Sequence, residues 1–220
     1  PPSLISSARY RVVYTGTDRA GNTSTYTLGT LFFDHEPPEI SMLFPIENGF
    51  TNVNEVSYEL NEPLLMANLI WTPIDGAETI SIDLTGDELK PGIFTQATLA
   101  NQSELSDGTV YNLAITAIDR SGNKAEISLA NHVTYDKSKP KFTQVFPSTS
   151  ARVNSQLIKW TVNEELVSGK YTWIRMGGNA DPSAPHTFEL TPDLLSPTAH
   201  DNSTLPDLEL VTDAMYRTTA

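Results

Sequence analysis

The chain has 220 residues, 39% hydrophobic and 19% charged, which describes a folded chain of one large or two ordinary domains and excludes disorder. Its net charge of −13 argues against nucleic acid or an anionic membrane as partner, because both need clustered Lys and Arg, and it fits a soluble surface or a chain that meets divalent cations. Cysteine is absent, so disulfides, thiolate catalysis and Cys-ligated zinc are excluded together.

No apolar run approaches the ~20 residues of a membrane span, and no charged-then-apolar leader opens the chain, which reads as a piece cut from something longer. From the N-terminus, Tyr10, Val12 and Tyr14 recur at a spacing of two, the period of a half-buried strand. A turn of the form Asp-x-x-Gly-Asn follows, Asp18 to Asn22. The segment "FDHEPPE", with Asp34 and Glu36, then reads as a linker. Val56, Tyr58 and Leu60 alternate with Ser57, Glu59 and Asn61, and Asn61-Glu62 ends that strand. Turn residues punctuate what comes next: Asp75-Gly76, Gly86-Asp87, Pro91-Gly92 and Asp107-Gly108. "LTGDELKPG" is expected to form one helical turn at most. Tyr111, Leu113, Ile115 and Ala117 form another alternating strand, closed by a second Asp-x-x-Gly-Asn, Asp119 to Asn123.

The pattern then starts again. Tyr10 and Asp18 stand 101 residues before Tyr111 and Asp119. Pro38 and Pro45 answer Pro140 and Pro147 at 102, as do "VSYELNEPL" from Val56 and "IKWTVNEEL" from Ile158, and Trp71 and Trp173. "LTGDELKPG" answers "LTPDLLSPT" at 106, so the later copy carries about four extra residues within "RMGGNADPSAPHTFE". So many anchors in one order define an internal repeat of about 102 residues. Residues 1–36 match only the end of a repeat, 37–138 make one complete repeat, and 139–220 match a repeat lacking its last strands.

About seven short strands per ~100 residues, with turns between them, indicate an all-β antiparallel sandwich. The segment Leu105 to Tyr111 resembles the tyrosine corner of fibronectin type III and immunoglobulin-like domains, in which a Tyr hydroxyl bonds back to the backbone ahead of strand F. Leu4 with Tyr10 and Leu210 with Tyr216 keep the same separation of six. Together with Asn61-Glu62, the strand C Trp71, "YNLAITAIDRSGN" and the Pro-led linkers, the unit resembles the tandem bacterial immunoglobulin-like (fibronectin type III or cadherin-like) repeats of large surface or secreted proteins. The resemblance implies a non-catalytic, extracellular or cell-surface spacer whose neighbours are repeats of the same parent chain.

Some members of the resembling families stiffen their junctions with calcium. The same pole of the sandwich is expected to bring together the linker, the B–C loop and the F–G loop. By carry-over, Asp34, Glu36, Glu62, Asp119 and Asn123 are the candidate ligands for a cation that takes ~6–8 hard oxygens. The second junction replaces this set with Asp136 among Lys137, Lys139 and Lys141, which weakens the case there.

The longer loop, Gly177 to His186, is the alternative site, an adhesive or carbohydrate-binding element with Gly177, Asn179, Asp181 and His186 as its candidate contacts. Trp71, Trp160, Trp173, Tyr58 and Phe44 are expected in the core rather than on a sugar platform. His35, His132, His186 and His200 are scattered without metal spacing, and no nucleophile, phosphate or dinucleotide motif is present, so no enzyme is expected. Unpaired strand edges in the incomplete repeats also suggest head-to-tail association, with residues 1–36 of one copy completing the tail of another.

Overall fold

A computed structural model of the chain describes residues 3–97, 99, 104–201 and 208–219. The chain divides into two compact units, Pro1–Ser138 and Lys139–Ala220.

In the first unit, β1 (Ala8–Thr17) and β2 (Thr23–Phe33) pair as an antiparallel hairpin. A sandwich follows it. One sheet has the order β3-β5-β8, from Ile40–Phe44, Val56–Leu60 and Gly92–Ala97. The other has the order β4-β10-β9-β6-β7, from Phe50–Thr51, Lys124–Tyr135, Thr109–Asp119, Leu64–Pro73 and Ile80–Leu84. All pairings are antiparallel except the short β4 with β10. In strand letters the sheets are A-B-E and A′-G-F-C-C′, the immunoglobulin-like and fibronectin type III arrangement.

Sequence period builds this directly. Tyr111, Leu113, Ile115 and Ala117 lie on the inner face of β9 and are all buried, while their intervening neighbours are half-exposed. Val56, Tyr58 and Leu60 of β5 meet them across the sandwich in one apolar cluster with Leu69 and Trp71 of β6. Tyr58 sets its hydroxyl on the Glu88 carbonyl (2.9 Å), which docks the single 3-10 turn Gly86–Leu89 onto the core.

The second unit repeats the plan. β11 (Phe142–Phe146), β12 (Lys159–Val162) and β15 (Ala199–Asp201) stand in the order β11-β12-β15. β13 (Lys170–Gly178), β14 (His186–Glu189) and β16 (Ala214–Thr219) stand in the order β14-β13-β16, which is C′-C-F. Ile158, Trp160, Tyr171, Trp173 and Leu194 form its core, and the 3-10 turn Pro192–Leu194 repeats the one at Gly86. Trp71, Trp160, Trp173 and Tyr58 are buried as expected, whereas Phe44, at the end of β3, is only half-buried and lies outside the core cluster.

Three tyrosine corners recur with one geometry. Each hydroxyl accepts the backbone N–H five residues upstream: Tyr10 from Ile5 at 2.7 Å, Tyr111 from Ser106 at 2.8 Å, and Tyr216 from Val211 at 3.0 Å. In both sandwiches the corner ring meets the strand C Trp edge-on, Trp71–Tyr111 at 5.7 Å and 86° and Trp173–Tyr216 at 5.8 Å and 87°. Tyr111→Phe keeps this ring packing and leaves the Ser106 N–H without its acceptor. Urea unfolding of this variant should show a loss of about 1–2 kcal/mol.

Candidate functional site

The two Asp-x-x-Gly-Asn segments fold identically. Asp119 N–H donates to Asn123 O (3.0 Å), while its Oδ1 accepts Ser121 N–H (2.7 Å) and Asn123 N–H (2.9 Å). Its Oδ2 accepts the Asn123 side-chain amide (2.7 Å). Asp18 makes the same bonds to Ala20 and Asn22 at 2.8–2.9 Å. Gly122 and Gly21 supply the left-handed backbone, at φ +94° and +90°. The motif is therefore a complete hairpin turn in both copies.

What separates the copies is their surroundings. Asp18 is exposed, whereas Asp119 is fully buried, because linker and B–C loop cover it. Asp34, Glu62 and Asp119 bring one carboxylate oxygen each to within 4.8 Å of the others. Asn123 also donates to the Asp34 carbonyl (3.3 Å), tying the linker to the F–G turn. Glu36 stands outside that trio but close enough for its charge to act on Glu62. Of the five candidate ligands the fold thus collects three carboxylates, with Glu36 and Asn123 beside them. Asn61, beside Glu62 in the B–C loop, accepts Glu39 N–H with its side-chain oxygen (2.9 Å), as Asn163 does for Lys141 in the second unit.

The electrostatics of the trio are uneven. Burial pushes the Asp119 carboxyl up, but hydrogen bonds from Asn123, Ser121 and Gly122 outweigh it and hold the group below the usual carboxylate range. Among the described residues no such donor acts on Glu62. Desolvation raises it first, and the charges of Asp119, Asp34 and Glu36 raise it further. A carboxyl raised on folding favours the fold below its unfolded pKa, and this contribution is lost as pH rises through the folded value. At neutral pH the ionised Glu62 carboxylate therefore works against the fold, and a bound cation would reverse that sign.

The long loop of the second unit is tied inward. Asp181 is buried, and its Oδ2 accepts both the Tyr216 hydroxyl and His186 Nε2, the latter at 2.7 Å, while Oδ1 accepts Ser183 N–H at 3.0 Å. The Tyr216 and His186 bonds hold its carboxyl down at about 2. Asn179 donates its side-chain amide to Thr212 O (3.0 Å), and Arg175 holds the carbonyls of Gly178 and Asn179. Gly177 and Gly178 let strand C pass against strand F. A Cβ on Gly177 would meet the Met215 methyl at 2.5 Å. One on Gly178, at φ +73°, would meet Asp213 O at 2.1 Å. Asn179, Asp181 and His186 thus fasten the loop to the tyrosine corner, and Gly177 lets strand F pass close by.

Among the described residues no helix is long and apolar enough to cross a membrane. The topology defines the class as tandem immunoglobulin-like β-sandwiches. No protein-family model matches the chain, and no curated protein matches it. Among solved structures it is similar to the FN1–FN3 domains of chicken CNTN1, at 14% identity and a TM-score of 0.35, covering 90% of this chain and 66% of that one. It is also similar to a tetra-tandem repeat from the extending region of a large adhesion protein, at 17% identity and a TM-score of 0.34, covering 90% of this chain and 55% of that one. The chain thus spans less than two thirds of the length of either.

Two outcomes follow for the loop. Gly178→Ala should lower the melting temperature of the second unit sharply, because backbone atoms and not a flexible side chain stand in the way. Asp181, depressed on folding, contributes stability above its unfolded pKa of 3.8, and that contribution is lost as pH falls toward about 2. The melting difference between the parent chain and Asp181→Asn should therefore be full at pH 6 and shrink below pH 4.

Proposed function

We propose that the chain is a non-catalytic spacer segment of a large bacterial extracellular or cell-surface repeat protein, stiffened by calcium where its first linker meets the complete sandwich. The observation that carries this reading is the convergence of Asp34, Glu62 and Asp119 at that linker, on a sandwich whose plan is then repeated. Each repeat buries its own core, so units add length without needing a partner's core. The three carboxylates would supply the charge and part of the ligand set of calcium, with Asn123 and Glu36 shaping the site around them. Bound calcium would convert mutual repulsion at Glu62 into attraction and lock linker, B–C loop and F–G loop together.

An adhesive or carbohydrate-binding role for the Gly177–His186 loop has less support, because Asn179, Asp181 and His186 are occupied by bonds within the unit. Head-to-tail association also faces a geometric demand. In the complete sandwich β9 bonds strand C on one edge and strand G on the other. The open edge of β1 therefore calls for a strand C, but β13 already bonds β16 there. For residues 1–36 of one copy to complete another, β1 would have to displace β16. Sedimentation that stays monomeric from micromolar to millimolar protein would dispose of that association.

Calcium at millimolar concentration should raise the melting temperature of the first unit by on the order of 5 °C over chelator. Glu62→Gln should melt at or above the parent chain in chelator and lose most of the calcium increment. Identical melts with and without calcium in the parent chain would sink the calcium part of the reading.

A further inference from the structure

The residue after each tyrosine-corner amide is Ser6, Asp107 or Thr212, at the third position of "LIS", "LSD" and "LVT". Two of these three meet a linker in the structure, and they meet it in the same way. His35 N–H donates to Ser6 Oγ (3.1 Å), and Lys137 N–H donates to Asp107 Oδ1 (2.6 Å). His35 and Lys137 are 102 residues apart, so they are equivalent positions just beyond strand G. One residue earlier, Asp34 and Asp136 each fold back on the chain, accepting Glu36 N–H at 3.2 Å and Ser138 N–H at 3.0 Å. The side chains add a second tie in each copy: Ser6 Oγ donates to Asp34 Oδ1 (2.9 Å), and Ser138 Oγ donates to Asp107 Oδ2 (2.7 Å). Bonds from Lys137 and then Ser138 hold the Asp107 carboxyl below the usual range.

We infer that the corner residue, Ser6 in the hairpin and Asp107 in the complete repeat, is a linker clamp: a positioning residue that fixes the direction in which the chain leaves strand G. The tyrosine hydroxyl fixes the corner, the corner side chain takes the linker amide, and the aspartate turn directs the next residues. Two linkers of different sequence, "DHEPPE" and "DKSKPK", leave their repeats by one geometry because the bonded atoms are a backbone amide and a short acceptor. The clamp gives a mechanical purpose to the spacer reading and rests on it only for that purpose.

Limited trypsin digestion of the 220-residue chain tests it at the bond after Lys137. Asp107→Ala should speed cleavage there roughly tenfold, the factor that corresponds to about 1.4 kcal/mol of easier local opening. Asp107→Ser, which copies the hairpin's clamp, should return most of the protection. The melting temperature of Asp107→Ala should fall by only a few degrees, the shift that the same bond contributes to global stability. Parent-like cleavage of Asp107→Ala would overturn the clamp, as would faster cleavage that is matched at Lys and Arg sites elsewhere in the first unit or is not relieved by serine. A calcium-independent melt with a clamp-dependent cleavage would remove the metal and leave the clamp standing.

Discussion

Everything in this chain hangs from the bond between a tyrosine hydroxyl and a backbone amide five residues upstream, made three times at 2.7–3.0 Å. It closes the crossing from one sheet to the other, and in both sandwiches it aims the ring edge-on at the strand C Trp. Strand F is thereby set against strand C, and the F–G turn is carried to the pole where the preceding linker arrives. At two of the three corners the neighbouring side chain, Ser6 or Asp107, takes the amide of the departing linker. One local motif thus organises core, turn and exit.

Much of the fold was legible because its signals are local and repeated. Tyr111, Leu113, Ile115 and Ala117 announce a strand by period alone, and the offsets of 101 and 102 residues tie each element to a copy. The gathering of Asp34, Glu62 and Asp119 was accessible too, since knowing the sandwich places three distant segments at one pole. Glu36 and Asn123 were harder to place. Whether an acidic residue at a loop contributes an oxygen or only a field depends on ångström-scale backbone direction, which residue type does not encode.

Two features stayed hidden for different reasons. The insertion holding Gly177 and Asn179 was readable as a surface loop, and Asn179 is exposed. Its anchor was not readable, because the E–F corner at Thr212 and Asp213 lies over thirty residues away in sequence. Ser6 and Asp107 went unread because serine and aspartate in a turn are commonplace. Only the identical bonds to His35 and Lys137 reveal that the two positions do the same task.

That shared bond has an evolutionary side. Because the clamp grips the main chain, the side chain at the gripped position is free to drift, and here it is histidine in one copy and lysine in the other. Linkers can thus change from acidic to basic without altering the path of the chain. Charge at a junction becomes a tunable character, while the grip on the main chain is kept in the hairpin and in the complete repeat.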